Sequence, residues 1–324
     1  MITVDVNVYE VLINAAESSL GFLSMAVPSM IIGVIFAELI VALKIVDKIV
    51  FVARPLTNFA HLSEECGASF MTAFVSATSA NSMLAAFYSD KKIEKKELFI
   101  ASMMTSFPAI VMHWRPMLPV LIPLLGVTGI LYFCILMFVG LIKTLLIMVA
   151  GRFLLVKKDS SYCYKNSLRE KRPPLKDAVK ISLQTSKPII KRIVAITLPI
   201  IFIVTILHEI GVFDNLSHHL RGVSAYFPVP PEGLGIIAAQ FAHYIAAAGV
   251  ASALLSTGEL AGKEVIITLL VGDVLTNIMV ILKWLIPYYV GIFGPRIGMQ
   301  ILAVTTTVRT GIMLLVIFAL ASFW

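Results

Sequence analysis

Long apolar runs separated by short polar segments dominate this 324-residue chain. A helix needs roughly 20 apolar residues to cross about 30 Å of hydrocarbon, and long continuous runs favour helices over the alternating strands of a barrel. The pattern therefore predicts an all-α, polytopic transmembrane helical bundle. The candidate spans are 20–43, 67–88, 98–115, 117–150, 193–208, 234–256, 265–288 and 297–323.

The same features recur in the same order in the two halves of the chain. Each half has a proline in an apolar run, a glutamate ten residues later, a helix of small residues, a Lys-Glu pair and a long last run. The paired positions lie 166 to 171 residues apart. They are Pro28 and Pro199, Glu38 and Glu209, Glu65 and Glu232, Lys96-Glu97 and Lys263-Glu264, His113-Trp114 and Lys283-Trp284, and Lys143-Thr144 and Arg309-Thr310.

These pairs predict a two-fold internal repeat with about four spans per half. Because four is an even number, both halves are expected to point the same way, as a parallel repeat. Pro119 and Pro123 also allow for a broken or re-entrant helix. The predicted units are an amphipathic lead-in at 1–19, a first repeat at 20–152, a basic cytoplasmic linker at 153–190 and a second repeat at 191–324.

Composition and charge agree with a membrane location. Apolar residues make up 59% of the chain and charged residues only 14%, whereas soluble domains average about 25% charged residues. The net charge of +7 is concentrated in 152–192, which holds twelve Lys or Arg residues, and in the short loop 91–96. Two predicted crossings separate these loops, so the positive-inside rule places both in the cytoplasm. Lys44, Lys48 and Arg54 do not fit this assignment.

Polar side chains within the apolar runs are the candidate binding residues. The first small-residue helix carries Ser76, Ser79 and Asn81, and the second carries Gln240 and His243. Such groups are costly in lipid, so we expect them to face a polar cavity; close helix packing is the alternative for the hydroxyls.

Asp273 lies about ten residues into its predicted helix, near the bilayer centre, with Asn277 one turn further on. We expect this carboxylate to have a functional role, and the alternative is a structural ion pair with Arg309 or Lys283. Glu38 and Glu209 are predicted to be solvated at the outer ends of their helices.

The sequence has no Walker loop, GxGxxG, HExxH or GxSxG motif, so neither an enzyme nor a cofactor is predicted. We also predict no nucleic-acid partner, because the basic residues belong to loops between apolar runs. A metal site is an alternative only. Cys66, Met71, Met103 and Met104 would supply soft ligands, with His208, His218 and His219 outside the membrane.

The paired pattern of a Pro-broken helix, a small-residue helix and a Lys-Glu-started helix resembles the Gate, or nucleoside-recognition, domain of prokaryotic membrane proteins. It is carried by 28–38 with 67–82, and by 199–209 with 250–264. The stretch 251–264 is similar to the membrane domain of the ferrous-iron transporter B, without the GTPase domain of those transporters. Spore-maturation membrane proteins and concentrative nucleoside transporters share related elements.

The resemblance implies a membrane transporter or permease for a small polar solute such as a nucleoside, with its site between the two repeats. The expected partners are that solute or an ion and the lipid bilayer, and a homo-oligomer is an open alternative. Two other functions remain open: a divalent metal-ion permease, and a non-transporting membrane scaffold that docks through 152–192.

Overall fold

The computed structural model describes residues 8–43, 57, 59–74, 76–156, 173–209 and 228–324. These residues form helices and no strand. The helices are α1 (Val8–Ala42), α2 (Glu64–Thr72), α3 (Ala77–Ser89), α4 (Lys95–Met104), α5 (Ser106–Met112), α6 (Trp114–Leu125), α7 (Val127–Leu154), α8 (Leu175–Glu209), α9 (Leu234–Ala242), α10 (Tyr244–Ser256), α11 (Gly262–Val280) and α12 (Ile286–Phe323). A 3₁₀ turn, Pro231–Gly233, precedes α9, and a π-helical segment, Ile281–Leu285, joins α11 to α12.

Two described helices, α7 and α12, are long and apolar enough to cross a membrane. A third candidate is the pair Lys95–Met112 and Trp114–Leu125, which is bent by 42°. The prediction of an all-helical protein is confirmed, and these helices are compatible with a membrane location. Four spans in each half are not seen in the described part of the chain.

The first small-residue segment is a helical hairpin instead of a continuous span. Its backbone is extended at Ser76 (φ −152°, ψ 109°), which separates the nine residues of α2 from the thirteen of α3. The Ser69 hydroxyl donates to the carbonyl of Ala80 at 2.7 Å. In a straight helix these residues would lie about 16 Å apart, so the chain must turn back. We name α2 and α3 hairpin 1.

The second small-residue segment repeats this arrangement 167 residues later. His243 is extended (φ −168°, ψ 147°) and separates nine residues of α9 from thirteen of α10, which pack against each other. We name α9 and α10 hairpin 2. Helices α1 and α8 likewise have 35 residues each, and their first residues are 167 positions apart. Neither arm of a hairpin is long enough to cross the hydrocarbon.

Large apolar side chains are exposed on the two long helices, while a few polar ones are buried. On α7, Phe138, Leu146 and Phe153 are exposed, while Tyr132 and Lys143 are buried. On α12, Leu315 and Phe318 point outward in the same way. An exposed apolar surface of this kind is compatible with a lipid surrounding.

A glycine turn lies at the start of α7, at Gly126, and another interrupts α12 at Gly294, before the long C-terminal part of that helix. Gly126 (φ +56°) and Gly294 (φ +76°) adopt backbone conformations that are easy only for glycine. Just beyond each turn a second glycine lies against backbone. A Cβ at Gly129 would be 2.6 Å from the carbonyl oxygen of Leu121, and one at Gly298 would overlap the carbonyl of Tyr289. These contacts allow each long helix to fold closely onto the segment before it.

Gly298→Ala is therefore expected to lower the free energy of unfolding by about 1–3 kcal/mol, because backbone cannot yield as a flexible side chain does. Denaturation in detergent micelles measures the change. Gly311→Ala is the matched control on the same helix, since nothing lies within 4 Å of a Cβ there, and alanine favours helix. Equal stability of the two variants would contradict this account of the turn.

The prediction that Glu38 is a solvated helix end is wrong. Glu38 is 2% exposed and accepts a hydrogen bond from Nε of Arg115 at 2.9 Å. This ion pair joins α1 to α6, so the carboxylate is held by charge and not by water. The side chain of Glu209 lies outside the described residues, as do His218 and His219.

Of the predicted domain boundaries, the one between 152 and 153 lies close to a helix end. Helix α7 ends at Leu154, near the start of the predicted linker, but α8 already begins at Leu175. Residues 1–7 of the lead-in and 157–172 of the linker lie outside the described part of the chain.

Candidate functional site

Asp273, in the middle of α11, accepts hydrogen bonds from two other helices. The Nε2 of Gln240, on α9, donates to Oδ1 at 2.8 Å. The hydroxyl of Tyr132, on α7, donates to Oδ2 at 2.9 Å. The carboxylate thus ties hairpin 2 of the second half to the last long helix of the first half. Both of its oxygens are satisfied by neutral donors.

Gln240 reaches Asp273 because the facing residue of α11 is a glycine. A Cβ on Gly272 would overlap Oε1 of Gln240. The Gln240 amide also donates to the carbonyl of Leu269 at 3.3 Å. Its own Oε1 is buried and has no hydrogen-bond partner. An orphaned acceptor inside a polar cluster is available to a donor from a solute or water.

Gly272→Ala is expected to push Gln240 away from Asp273 and to cost about 1–3 kcal/mol of stability. Thermal unfolding in micelles measures the loss. Gln240→Ala removes the side chain that the new Cβ would overlap. In a protein that already carries Gln240→Ala, the further change Gly272→Ala should therefore lower the stability only slightly. Additive effects of the two changes would rule out this contact as the cause.

A small cleft opens beside Asp273. It is lined by Asp273, Val274, Asn277, Arg309, Thr310 and Met313, and its volume is about 10 Å³. This is room for about one water molecule. The Nη1 of Arg309 donates to Oδ1 of Asn277 at 3.4 Å, and no described carboxylate is ion-paired with this arginine. Asp273 and Arg309 thus line one cleft without an ion pair.

A buried lysine occupies the corresponding position of the first half. Lys143, on α7, is 2% exposed, and its Nζ donates to the hydroxyl of Ser106 at 2.8 Å. Ser106 lies 167 positions before Asp273, and Lys143 lies 166 positions before Arg309. The two halves thus place a cation from the last long helix near the same point of the preceding segment. Only the second half has a carboxylate there.

Asn81 is the centre of a third group of hydrogen bonds. Its Nδ2 donates to the Tyr288 hydroxyl at 2.9 Å, and its Oδ1 accepts from Ser102 at 3.0 Å and Thr105 at 3.3 Å. Asn81 and Ser102 come from the first half and Tyr288 from the second. Hairpin 1 is therefore attached to both halves.

These groups follow one another through the bundle, and we name the set the polar belt. Thr105 and its neighbour Ser106 join the Asn81 group to Lys143, and α7, which carries Lys143, packs against α12, which carries Arg309. The belt therefore runs from hairpin 1 to hairpin 2 across both halves. Its members are Asn81, Ser102, Thr105, Ser106, Tyr132, Lys143, Gln240, Asp273, Asn277, Tyr288, Arg309 and Thr310.

Four of the predicted site residues, Asn81, Gln240, Asp273 and Asn277, lie in the polar belt. The other three serve the breaks of the hairpins. The Ser76 hydroxyl accepts from the backbone N–H of Ser79 at 3.1 Å, and Nδ1 of His243 accepts from that of Ile245 at 3.2 Å. Among the described contacts, none joins Ser76 or Ser79 to Gln240 or His243.

Sequence reasoning missed Tyr132, Ser102, Thr105 and Tyr288 as belt members. It treated Lys143 only as a marker of the repeat. A signal for Lys143 was present, because a lysine in the middle of a 28-residue apolar helix is costly unless it faces the interior. Tyr132 differs from the phenylalanines of the same helix by its hydroxyl, but the sequence does not show which group that hydroxyl bonds.

The predicted soft metal ligands lie in a hydrophobic cluster. Cys66, Met103 and Met104 are buried there, and Met71 packs against them. Burial and the nearby Glu97 carboxylate raise the pKa of the Cys66 thiol, which disfavours the thiolate that metals bind. No cluster of three or more His, Cys, Asp or Glu side chains suited to a metal occurs within the described ranges.

Comparison with known proteins finds relatives in Methanocaldococcus jannaschii. The uncharacterized protein MJ1556 is 34% identical over 303 residues, which cover 92% of this chain and 94% of the relative. The uncharacterized protein MJ0871 is 30% identical over 78% of each chain. No protein-family profile matches the chain, and no solved structure is significantly similar to it. The chain therefore belongs to the same protein family as MJ1556 and MJ0871.

Proposed function

We propose that this protein is a membrane transporter or permease of a small polar solute, with its site in the polar belt between the two halves. The observation that supports this most is Asp273, a carboxylate held by Tyr132 and Gln240 beside a cleft inside a bundle with an apolar exterior. Ionisable residues at such positions typically mark solute or ion pathways.

The hairpins support a transporter-like arrangement. Non-helical backbone inside a membrane is tolerated only where it is buried in protein or lines a cavity, and broken helices often form solute sites. Ser76 and His243 interrupt two helices at matching positions. Each hairpin also carries one side chain into the belt, Asn81 or Gln240. Movement of a hairpin would therefore displace Asn81 or Gln240 within the site.

We further infer that the two repeats are inverted, in place of the parallel arrangement expected from four spans. If a hairpin enters and leaves on one side, it adds no crossing. The three crossings of the first half are then α1, the bent segment α4–α6, and α7. Those of the second half are α8, α11 with the π-helical segment, and α12. Three is an odd number, so the second half is turned over relative to the first.

Charge supports the inverted arrangement. With three crossings per half, Lys44, Lys48 and Arg54 fall on the same side as the loops 91–96 and 152–192, and all three basic segments are cytoplasmic. The conflict that these residues posed for a four-span half disappears. The protein would then be a multi-pass protein of the cell membrane with both chain termini outside.

The nucleoside class of the solute comes from the resemblance to Gate domains. The belt suits a ligand with hydroxyls and ring nitrogens, because it presents amides, hydroxyls and one orphaned acceptor, Oε1 of Gln240. Ser76, Ser79 and His243 would act by holding the hairpins in shape, and Asn81, Gln240, Asp273 and Asn277 by contacting the solute.

Uptake by reconstituted vesicles tests the function. Vesicles with the purified protein and empty vesicles are loaded with buffer and given radiolabelled uridine, adenosine or guanosine, with and without a pH gradient. Faster uptake of at least one nucleoside by the protein-containing vesicles is the expected result. Equal uptake by both kinds of vesicle for all three, under every gradient, would remove the nucleoside proposal.

Two other functions are distinguished by other measurements. A divalent metal-ion permease requires that Fe²⁺ or Mn²⁺ stabilise the protein against heat, and that Cys66→Ser weaken this effect. A scaffold requires no permeation of any solute, together with capture of a partner that depends on 152–192. The polar belt inside the bundle supports a transporter over a scaffold, and the burial of Cys66 in a hydrophobic cluster disfavours a metal-ion permease.

A further inference from the structure

The first part of α8 carries its lysines on one face. Four lysines are exposed there and share this face, namely Lys176, Lys180, Lys187 and Lys191. At about 100° of rotation per residue, they fall within about 60° of the helix circumference and extend along about 22 Å of its length. We name these four residues the lysine stripe. Asp177 is the only acidic residue of 175–191, so this surface is cationic.

The nearly opposite face of the same segment packs against α1. Ala178, Ser182 and Ser186 are buried, and the Ser182 hydroxyl donates to the carbonyl of Ile35 on α1 at 2.8 Å. The lysine stripe therefore points away from α1. Within the described ranges, no carboxylate forms an ion pair with any of its four lysines.

Exposed apolar side chains lie directly beside the lysine stripe. Leu175, Val179 and Leu183 are 64%, 39% and 45% exposed. They are four residues apart, so they form a row between the stripe and the buried face. A basic row beside an apolar row is typical of a helix at a membrane surface. There the apolar side chains enter the acyl region and the lysines extend to the phosphates.

The length of α8 allows its first part to lie at the membrane surface. The helix has 35 residues and is about 52 Å long, whereas the hydrocarbon of a bilayer is about 30 Å thick. If α8 crosses the membrane, about fifteen of its residues therefore extend beyond the hydrocarbon. The stripe is at the end that follows the basic linker, which the positive-inside rule places in the cytoplasm.

The lysine stripe is unfavourable for the chain on its own. Lysines four positions apart on a helix repel each other, as in the pairs of 176 with 180 and 187 with 191. Anionic lipids give the cytoplasmic leaflet a negative surface potential, which attracts basic segments close to the membrane. Lipid phosphates next to α8 would thus compensate a charge that no described carboxylate balances.

We propose that the lysine stripe binds the headgroups of anionic lipids at the cytoplasmic surface, with the apolar row of Leu175, Val179 and Leu183 in contact with their acyl chains. This inference requires a membrane location but no transport, so it goes beyond the proposed function. The site is selective for charge, because the lysines interact with the net charge of the headgroup, and it prefers lipids to soluble phosphates, because half of the surface is apolar.

Thermal unfolding of the purified full-length protein in micelles of a neutral detergent tests the proposal. Dioleoyl phosphatidylglycerol is compared with dioleoyl phosphatidylcholine, which has the same chains and no net charge. At saturation, phosphatidylglycerol is expected to raise the Tm by about 5 °C more than phosphatidylcholine does. Glycerol phosphate, which has the charge but no chains, should give no rise. Equal effects of the two lipids, or a full rise with glycerol phosphate, would overturn the proposal.

A matched pair of variants assigns the effect to the lysine stripe. The stripe variant replaces its four lysines by glutamine and is expected to lose the difference between the two lipids. The control variant replaces the four exposed lysines of 91–96 by glutamine. It removes the same charge from the same predicted side and should keep the difference. If both variants lose it equally, the lipid responds to total charge and the proposed site does not exist.

Two further measurements exclude other partners of the stripe. Without added lipid, the stripe variant should be at least as stable as the wild type, because repulsion between its lysines is gone. A lower Tm would show that the lysines have partners within the chain and would contradict the proposal. Light scattering in micelles should give the same protein mass for both. A wild-type oligomer that dissociates in the stripe variant would assign this surface to a second copy instead.

The lipid site and the transporter fail in different ways. Nucleoside uptake by a protein that does not distinguish the two lipids would retain the transporter and remove the lipid site. A difference between the lipids that requires the lysine stripe, in a protein whose vesicles take up no nucleoside, would retain the lipid site and remove the nucleoside proposal.

Discussion

Asp273→Asn is expected to reduce solute uptake by about tenfold or more, which corresponds to about 1.4 kcal/mol. The substitution keeps the size of the side chain but removes the only carboxylate of the polar belt. Gln240 and Tyr132 both donate hydrogen bonds to the Asp273 carboxylate. The amide that replaces it has one acceptor oxygen and one NH₂ group, which is itself a donor. One of these two hydrogen bonds must be lost or reversed, so the orientation of hairpin 2 relative to α7 changes.

The measurement is the initial rate of uptake by vesicles with equal amounts of protein, for the solute that the wild type transports. Asp90→Asn makes the same chemical change at an exposed position and should leave the rate unchanged. Thermal unfolding of both variants in micelles shows that each is folded. Wild-type uptake by folded Asp273→Asn would remove this carboxylate from the mechanism.

The helical fold follows from the sequence because continuous apolar runs admit few other structures in a membrane. The repeat markers were also informative, and several of them lie at matching positions of matching helices. The first residues of α1 and α8 and the breaks of the two hairpins are 167 residues apart, which lies within the 166 to 171 residues that separate the markers. Local sequence was sufficient for these features, since proline, glycine and Lys-Glu pairs act on the residues around them.

The hairpins were not predictable from hydropathy. Small residues allow a continuous helix that packs closely, and they equally allow a tight turn between two short helices. At Ser76 a local cap favours the turn, because the Ser76 hydroxyl accepts a hydrogen bond from the backbone N–H of Ser79. The Ser69 hydroxyl also donates to the carbonyl of Ala80, which joins the two short helices. The predicted span 67–88 assumed one continuous helix, whereas the chain forms two short ones there.

The composition of the belt depends on tertiary contacts that one sequence does not reveal. Asp273 was identifiable because an acid in an apolar run is rare, and Gln240 because its amide is costly in lipid. Tyr132 and Tyr288 lie 141 and 207 residues from the side chains they bond. Only the fold brings them together.

The ion pair between Glu38 and Arg115 leads to the largest expected effect on stability. Arg115→Met leaves the Glu38 carboxylate buried without its counter-ion, and breaking a buried pair in this way costs about 3–5 kcal/mol. Glu38 is 2% exposed, so water cannot replace the guanidinium. Arg296→Met is the control, because that arginine is exposed on α12 and should change stability by less than about 0.5 kcal/mol.

The double variant Glu38→Met with Arg115→Met separates loss of the pair from loss of packing. Replacing both members of a buried ion pair by apolar side chains is often neutral or stabilising, so the double variant should regain most of the stability lost in Arg115→Met. Unfolding by a denaturing detergent in mixed micelles measures all three variants. If the double variant is as unstable as Arg115→Met, the loss comes from packing between α1 and α6, and the buried charge is not its cause.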